Sequence, residues 1–398
     1  MSLSADARER VLAGRKQVIS VAMPLDTYAW YRQLRSGQPI VYDEQRGAWL
    51  VFRYADVERV LRDTSTFSSQ RAFKPDGGVD EIAGGSILGL DPPRHRHLRS
   101  LITRAFTLKR VTQLESRIRE ITRQLLDRVE SEDTVDIVTA LAFPLPVMVI
   151  CELLGVPSED AEQFRSWSHD VVGNNYALRM QAMEAIARYF DALVIERTRN
   201  PGTDLISELV QGEVDGARLS RTEVTGACLL LLIAGHETTA TLISNAMWCF
   251  EEHPQARAEV TAQPQLLPGA IEEILRCRAV VHWMPRVVTQ QTRFLDQDLA
   301  EGDLVLPMFA AANLDAAQFP DPDRFDIRRA PNRHMGFGFG IHLCLGAALA
   351  RLEANIALRE LLARFPRAER DPTQTLALRP SYFVYALQRY PMRLQGLG

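Results

Sequence analysis

Phe337-Gly338-Phe339-Gly340-Ile341-His342-Leu343-Cys344-Leu345-Gly346 is the stretch on which the fold turns. Glycines at 336, 338, 340 and 346 let this backbone approach something flat and large. The residues that follow, Ala347 to Phe365, predict an amphipathic helix. Cys344 therefore stands just ahead of a helix start, where free N–H groups and the helix dipole favour a thiolate. His342, two residues earlier, is placed to pair with an anion. In isolation a cysteine beside a tight turn reads better as a buried structural residue, and it is the surrounding pattern that reverses this.

The chain has 398 residues, 46% of them hydrophobic and 24% charged, which is ordinary globular composition with enough apolar mass for a sizeable core. This excludes a disordered, collagen-like or disulfide-miniprotein chain. The net charge of −4 gives no case for nucleic-acid binding. Only Lys16, Lys74 and Lys109 are lysines, so the basic residues are almost all arginine, a chain-wide bias that reads as bacterial genome composition. Five dispersed cysteines (151, 228, 249, 277 and 344), never in a C-x-x-C pair, argue for a reducing compartment and against a disulfide framework or zinc ribbon. The first 23 residues carry Arg8, Arg10, Arg15 and Lys16 and no apolar targeting core. The uncharged stretch 137–151 is too short to span a bilayer. A cytoplasmic protein without a membrane anchor is expected. No repeat, low-complexity tract or flexible linker interrupts the chain, so residues 1–398 are read as one domain.

Most of the chain reads as helix. Ser220-Arg221-Thr222-Glu223 is a capping box before an apolar run, and the helix it opens should reach about Glu252, ahead of Pro254. Asp91-Pro92-Pro93 reads as another helix start, with Asp91 as N-cap and a helix to about Leu108. Gly155-Val156-Pro157-Ser158 ends one helix and caps the next. Strand signals are fewer: 49–52, 286–294 and 382–387. A mainly α fold with small β-sheets follows.

The pattern F-x-x-G-x-x-x-C-x-G, carried by Phe337, Gly340, Cys344 and Gly346, resembles the haem-binding loop of the cytochrome P-450 family. Further segments in the family's order extend the resemblance from about residue 40 to the C-terminus. Glu273 and Arg276 share one helix face at i, i+3 and look like the family's E-x-x-R element, a structural pair completed by a further arginine. Arg324 is the candidate third member and Arg329 the rival. Ala234-Gly235-His236-Glu237-Thr238-Thr239, in the middle of the long helix, is similar to the oxygen-activating segment. Gly235 and threonine back-bonding predict a widened turn there. Glu237 and Thr238 stand at the acid–alcohol positions, and His236 is at most a lining residue. His95 and Arg99 lie at i, i+4 within Arg94 to Arg110, which holds six basic residues and no acid. They look like the family helix that grips the haem propionates, with Arg286 and His342 completing the grip. Leu314 and Ala386 depart from the family pattern, standing where arginine and glycine are common.

The resemblance implies a triangular, mainly α P-450 fold and a bacterial haem-thiolate monooxygenase, with Cys344 as axial ligand of haem b and O2 as co-substrate. Cofactor contacts are expected from His95, Arg99, Ala234, Gly235, Arg286, Phe337, Gly338, His342, Cys344 and Gly346. Glu237 and Thr238 would deliver protons. Pocket positions are Phe73, Ile87, Leu88, Ile233, Val281, His282, Trp283, Phe383 and Val384, with His282 a polar handle. Such an apolar lining suits a terpenoid, steroid, fatty acid or polyketide-like molecule. No reductase domain is fused, so electrons would come from a ferredoxin and an NAD(P)H-dependent ferredoxin reductase acting on a monomer. A peroxide-driven enzyme of the same fold and a haem sensor without turnover are the alternatives. The acid–alcohol pair argues against both.

Overall fold

Ser220 accepts the backbone N–H of Glu223, and the Glu223 carboxylate bonds back to the Ser220 N–H at 2.9 Å. This capping box opens the α-helix Arg221–Glu252, 32 residues long, as its S-x-x-E signal predicts. The computed structural model describes residues 4–20, 23–35, 37–70, 87–172, 175–214, 217–381 and 383–394. Among the described residues, this is the one helix long and apolar enough to cross a membrane, yet 61% of its apolar window is buried by the protein itself. It is a core helix. Helices Pro144–Leu154, Tyr176–Arg199, Leu267–Cys277 and Ala347–Arg364 pack around it. The largest apolar cluster runs through all five.

The β-structure lies outside this helical core. The largest sheet has the spatial order Ile40–Asp43, Ala48–Val51, Leu304–Pro307, Arg286–Val288, Phe67–Ser68. Ala48–Val51 and Leu304–Pro307 pair in parallel, joining the first and last thirds of the chain. The 286–294 stretch, expected as one strand, forms two, Arg286–Val288 and Thr292–Phe294, and the second turns back as a hairpin on Gln297–Leu299. The C-terminal signal appears as a narrow hairpin: Leu378 bridges Leu387, and its tip is held where Val384 bridges Val281.

One helix start differs from expectation. Helix Arg94–Ala105 has Pro93 at its N-cap and no side-chain cap. The Asp91 carboxylate turns away and accepts from Ser68 Oγ and from the backbone N–H groups of Ser69 and Gln70. Ser69 and Gln70 follow directly on the strand Phe67–Ser68, so the carboxylate serves the loop rather than the helix. The helix ends at Ala105, and a separate one, Leu108–Gln113, follows. Gly155, in contrast, is the C-cap expected, with φ +77°.

Candidate active site

The long helix is more open in its middle than in the stretches on either side. Residues 226–229 and 239–250 are buried, whereas Ala234 is exposed and Ile233, Gly235, Glu237 and Thr238 are partly open. Such a helix lines a cleft. Ala234, Glu237 and Thr238, at i, i+3 and i+4, share the open face. The predicted widened turn is absent: the helix is continuous α from Arg221 to Glu252. Thr238, Thr239 and Thr241 donate to the carbonyls of Ala234, Gly235 and Glu237 at 2.8, 3.0 and 2.8 Å. Each carbonyl is the ordinary helical acceptor four residues back, so the hydroxyls share it without breaking the ladder. Thr239 is buried and Thr238 is not, which separates the two threonines.

Two other histidine assignments change. His236 points into the core: its Nδ1 lies 2.7 Å from the Leu232 carbonyl and its ring packs edge-on to Phe143. Burial lowers its pKa to about 4, so it is neutral, and it does not line the cleft. His282 is fully buried as well. Tyr31 Oη meets its Nδ1 at 2.8 Å, and the ring stacks on Tyr385 and abuts Tyr28. Trp283 is also sealed in the core. Neither is a polar or aromatic handle for a ligand, because the C-terminal hairpin and the 27–35 helix close over them. Ile87 and Val384 are buried too, whereas Leu88, Ile233, Val281 and Phe383 keep open surface. Phe73 lies outside the described residues.

The cysteine loop is built as its glycines suggest. Gly338 and Gly340 have φ of +73° and +69°, which side-chain-bearing residues rarely adopt. The Cys344 N–H donates to the Phe337 carbonyl at 2.9 Å, closing the loop. Gly346 caps helix Ala347–Arg364, and a side chain there would meet nothing within 4 Å. Cys344 is the one free cysteine among the five that is exposed. Its thiol is nevertheless pushed up by the protein around it, while the Gly346 N–H and the charges of Arg99 and Arg351 act in the opposite direction. Exposed yet enclosed, the sulfur lies on the wall of a cleft. Arg351 stacks over the Phe337 ring at 4.4 Å and is held by Glu272 at 2.6 and 2.8 Å, fixing the loop's first residue. No local spacing points to this pair, which lies 79 residues apart.

Around the loop sits a set of buried polar atoms that find no hydrogen-bond partner among the described residues. The rings of His95 and His342 meet edge-on at 4.4 Å, and the Nε2 atoms of both lack a hydrogen bond. Burial lowers their pKa values to about 4 and about 2; Arg286, His95 and Arg99 add to the shift at His342. Arg286 is almost fully buried, forms no ion pair among the described residues, and leaves its Nε unsatisfied. Burial lowers its pKa to about 10, so it stays a cation at neutral pH. Buried donors of this kind demand an anion. Arg99 donates at 2.5 Å to the Leu343 carbonyl, beside the thiol. A flat, dianionic, thiolate-ligated cofactor fits this donor set: a sulfur on a cleft wall, glycines that clear its approach, and unpaired cationic and imidazole groups at the edge.

The E-x-x-R element is a buried hub. Arg276 and Glu273 are fully buried and joined by two bonds, at 2.8 and 2.7 Å. Arg329, not Arg324, completes it: its Nε lies 3.2 Å from both Glu273 oxygens. The Arg324 side chain faces solvent near Asp326, and only its backbone carbonyl takes part, accepting from Arg276 and Arg329. Asn332 and the Asp326 N–H add two more bonds to Glu273. Burial alone would raise the Glu273 pKa, but the bonds and charge of Arg276 hold it below its usual range.

A fold of this kind, with a cysteine loop beside an anion-seeking cradle and an open-faced long helix, defines a haem-thiolate protein. Comparison with known proteins agrees. The family model "Cytochrome P450" matches residues 16–155 and 150–381. The erythromycin C-12 hydroxylase of Saccharopolyspora erythraea is 41% identical, over 86% of this chain and 88% of its own length. Cyclomarin C epoxidase CymV of Salinispora arenicola is 39% identical, over 86% of this chain and 89% of its own. Among solved structures, substrate-free CYP109E1 from Bacillus megaterium superposes with a TM-score of 0.89 at 39% identity, covering 93% of this chain and 98% of that one. Its testosterone complex gives 0.85 at 40% identity, over 92% and 99%. The chain belongs to the cytochrome P450 family. It is a P450 monooxygenase that uses haem b and O2.

Proposed function

We propose that this enzyme inserts one oxygen atom of O2 into a hydrophobic small molecule of steroid or polyketide-like character, with electrons from a separate ferredoxin and its NAD(P)H-dependent reductase. Cys344 Sγ would hold the haem iron, and Arg286, His95 and His342 would hold the propionates, with Arg99 at the rim. The relatives named as a macrolide hydroxylase and an epoxidase support the reaction class, and the testosterone complex supports the substrate's character. Haem b, when bound, supplies O2 activation and oxygen transfer.

The protein's part is orientation, water exclusion and protons. The observation that carries this reading is the open window of the long helix, where Glu237 and Thr238 face the cleft with Ala234. Thr238 Oγ1 donates to the Ala234 carbonyl. Rotation about one bond turns that hydroxyl to the cleft, where it gives a proton and takes one from Glu237. Burial raises the Glu237 carboxyl pKa, against the charges of Arg379 and Arg179, which moves it toward the range useful for proton transfer. Four cleft-facing apolar residues, Leu88, Ile233, Val281 and Phe383, suit the hydrophobic body of a substrate.

The ferredoxin would dock on the side of the cysteine loop. Part of the basic stretch there is already neutralised: Arg94 pairs with Glu223, and Arg110 with Glu208. Arg96 is exposed and in no ion pair among the described residues, which makes it the better docking cation.

The test is coupling. With a bound steroid or macrolide and reconstituted redox partners, Thr238→Ala should keep folding and haem content. It should divert reducing equivalents to hydrogen peroxide, lowering product per NAD(P)H about tenfold. Thr239→Ala, which alters a buried hydroxyl, should leave the ratio unchanged. The reverse pattern would move the alcohol role to Thr239. An unchanged ratio in both variants would remove the relay from this mechanism.

A further inference from the structure

Glu237 is not alone in the cleft wall. Arg379 reaches it from the C-terminal hairpin, with Nη1 3.4 Å from Oε1. The base of that hairpin is rigid. The Arg379 N–H donates to the Ala386 carbonyl at 2.8 Å and the Gln388 N–H to Ala377 at 2.9 Å. The tip is pinned by His282 N–H to Phe383 and by Tyr385 N–H to Val280, both at 2.8 Å. The guanidinium is therefore aimed from a fixed backbone, and its side chain is only 17% exposed. Its carboxylate partner is poorly seated: a charge-assisted N–H···O bond normally spans about 2.7–2.9 Å. Among the described residues Arg379 forms no other ion pair. Phe383, four residues along the same hairpin, and Val281, beneath its tip, both present apolar surface to the cleft.

From these positions we infer that Arg379 is a specificity-determining residue that binds a carboxylate on the hydrophobic substrate, and that this carboxylate displaces Glu237 from the guanidinium. An enclosed arginine with one loose partner gains two parallel bonds when a mobile carboxylate approaches its fork. Glu237 then loses its nearest cation and keeps its burial, so its carboxyl holds a proton more readily at the moment a substrate is present. Arg379 thereby couples substrate recognition to proton supply. A neutral substrate leaves the Glu237–Arg379 contact intact. This inference rests on the reading of Glu237 and Thr238 as the proton-delivering pair, and its substrate arm stands apart from that reading.

The experiment compares dodecanoate with methyl dodecanoate, equal in apolar length, as ligands of the haem-loaded enzyme, by isothermal titration calorimetry. The wild type should bind the carboxylate about tenfold or more tightly than the ester, as expected for an added charge-assisted bond. Arg379→Gln should abolish that preference with the ester affinity unchanged. Glu237→Gln should strengthen carboxylate binding several-fold, because it removes the competing anion, and leave ester binding alone. A structural role for Arg379 would weaken both ligands equally, and that result, or a preference that survives Arg379→Gln, overturns the inference. If the preference follows Arg379 but Thr238→Ala leaves product per NAD(P)H unaltered, the substrate assignment stands and the relay falls. If Thr238→Ala uncouples and the ligand preference ignores Arg379, the relay stands and this inference falls.

Discussion

Two buried polar clusters flank the cysteine loop, and they differ in completeness. Around Glu273 every charged group has a partner: Arg276, Arg329, Asn332 and the Asp326 N–H converge on one carboxylate, the spare Arg276 donors reach the carbonyls of Asn313 and Pro322, and among the described residues only the Asn332 Oδ1 of this cluster is left unbonded. Around His95, His342 and Arg286 two Nε2 atoms and one Nε have no hydrogen-bond partner among the described residues. A closed network stabilises the protein by itself, while an open one destabilises it until a guest closes it. Between these two clusters, whether the buried cations are paired separates scaffold from site where burial alone does not.

The sharpest way to break this contrast is at the sulfur between the two clusters. Cys344→Ser should lose all turnover, together with the strongly red-shifted Soret band of the ferrous carbonyl complex, because a serine oxygen is not an equivalent charged donor. The other four cysteines should be replaceable without spectral change. In the closed cluster, Glu273→Ala strands the fully buried Arg276, at a cost of about 3–5 kcal/mol, readable as a fall in urea midpoint or as failure to accumulate folded protein. Arg329→Ala should lower the midpoint too. Arg324→Ala, altering a solvent-facing side chain, should stay within about 0.5 kcal/mol of wild type.

The open cluster should answer with the opposite sign. Arg286→Met removes a buried, unpaired cation, so the haem-free protein should gain about 1–3 kcal/mol in denaturant unfolding while haem retention drops. If the haem-free variant is instead destabilised, the cradle has an internal partner and the contrast fails. A pH-dependent effect concerns Glu353, buried on the helix after the loop, with Oε2 unpaired and no cation to hold it among the described residues. Burial raises its pKa from 4.5 to about 8. The folded protein keeps a proton that the unfolded chain releases, so its contribution is complete below about pH 4.5 and is lost as pH rises to about 8, at no more than about 1.4 kcal/mol per pH unit. Glu353→Gln should flatten that slope in melting curves taken from pH 5 to 8.

The sequence reading succeeded where the signal is local. The capping box at Ser220, the left-handed Gly155, the glycines of the cysteine loop and the i, i+3 pair of Glu273 and Arg276 are each set by neighbouring residues, and each folds as its spacing suggests. It failed where long-range partners decide. Arg329 and Arg324 are indistinguishable by spacing, and only the path of the 320–332 loop brings one to Glu273. His282 sits in an apolar run that reads as pocket lining, yet Tyr31, 251 residues away, claims its nitrogen. Asp91 has the position of a helix cap but serves the loop at 68–70. Arg379 carries no motif at all; its role emerges only when the hairpin is laid against the long helix.

The parallel pairing of Ala48–Val51 with Leu304–Pro307 has a consequence for how the chain is made. The N-terminal hairpin leaves the ribosome about 250 residues before the strand that must cover its inner edge. At bacterial elongation speeds of about 5–20 residues per second, that edge waits on the order of ten to fifty seconds with its N–H and C=O groups open. During that interval Trp49 and Leu50 form an apolar, β-prone stretch that can pair with another nascent copy. Yield in a foreign host should therefore depend on chaperone supply and growth temperature before it depends on haem, and slowing translation after residue 51 should worsen aggregation rather than relieve it.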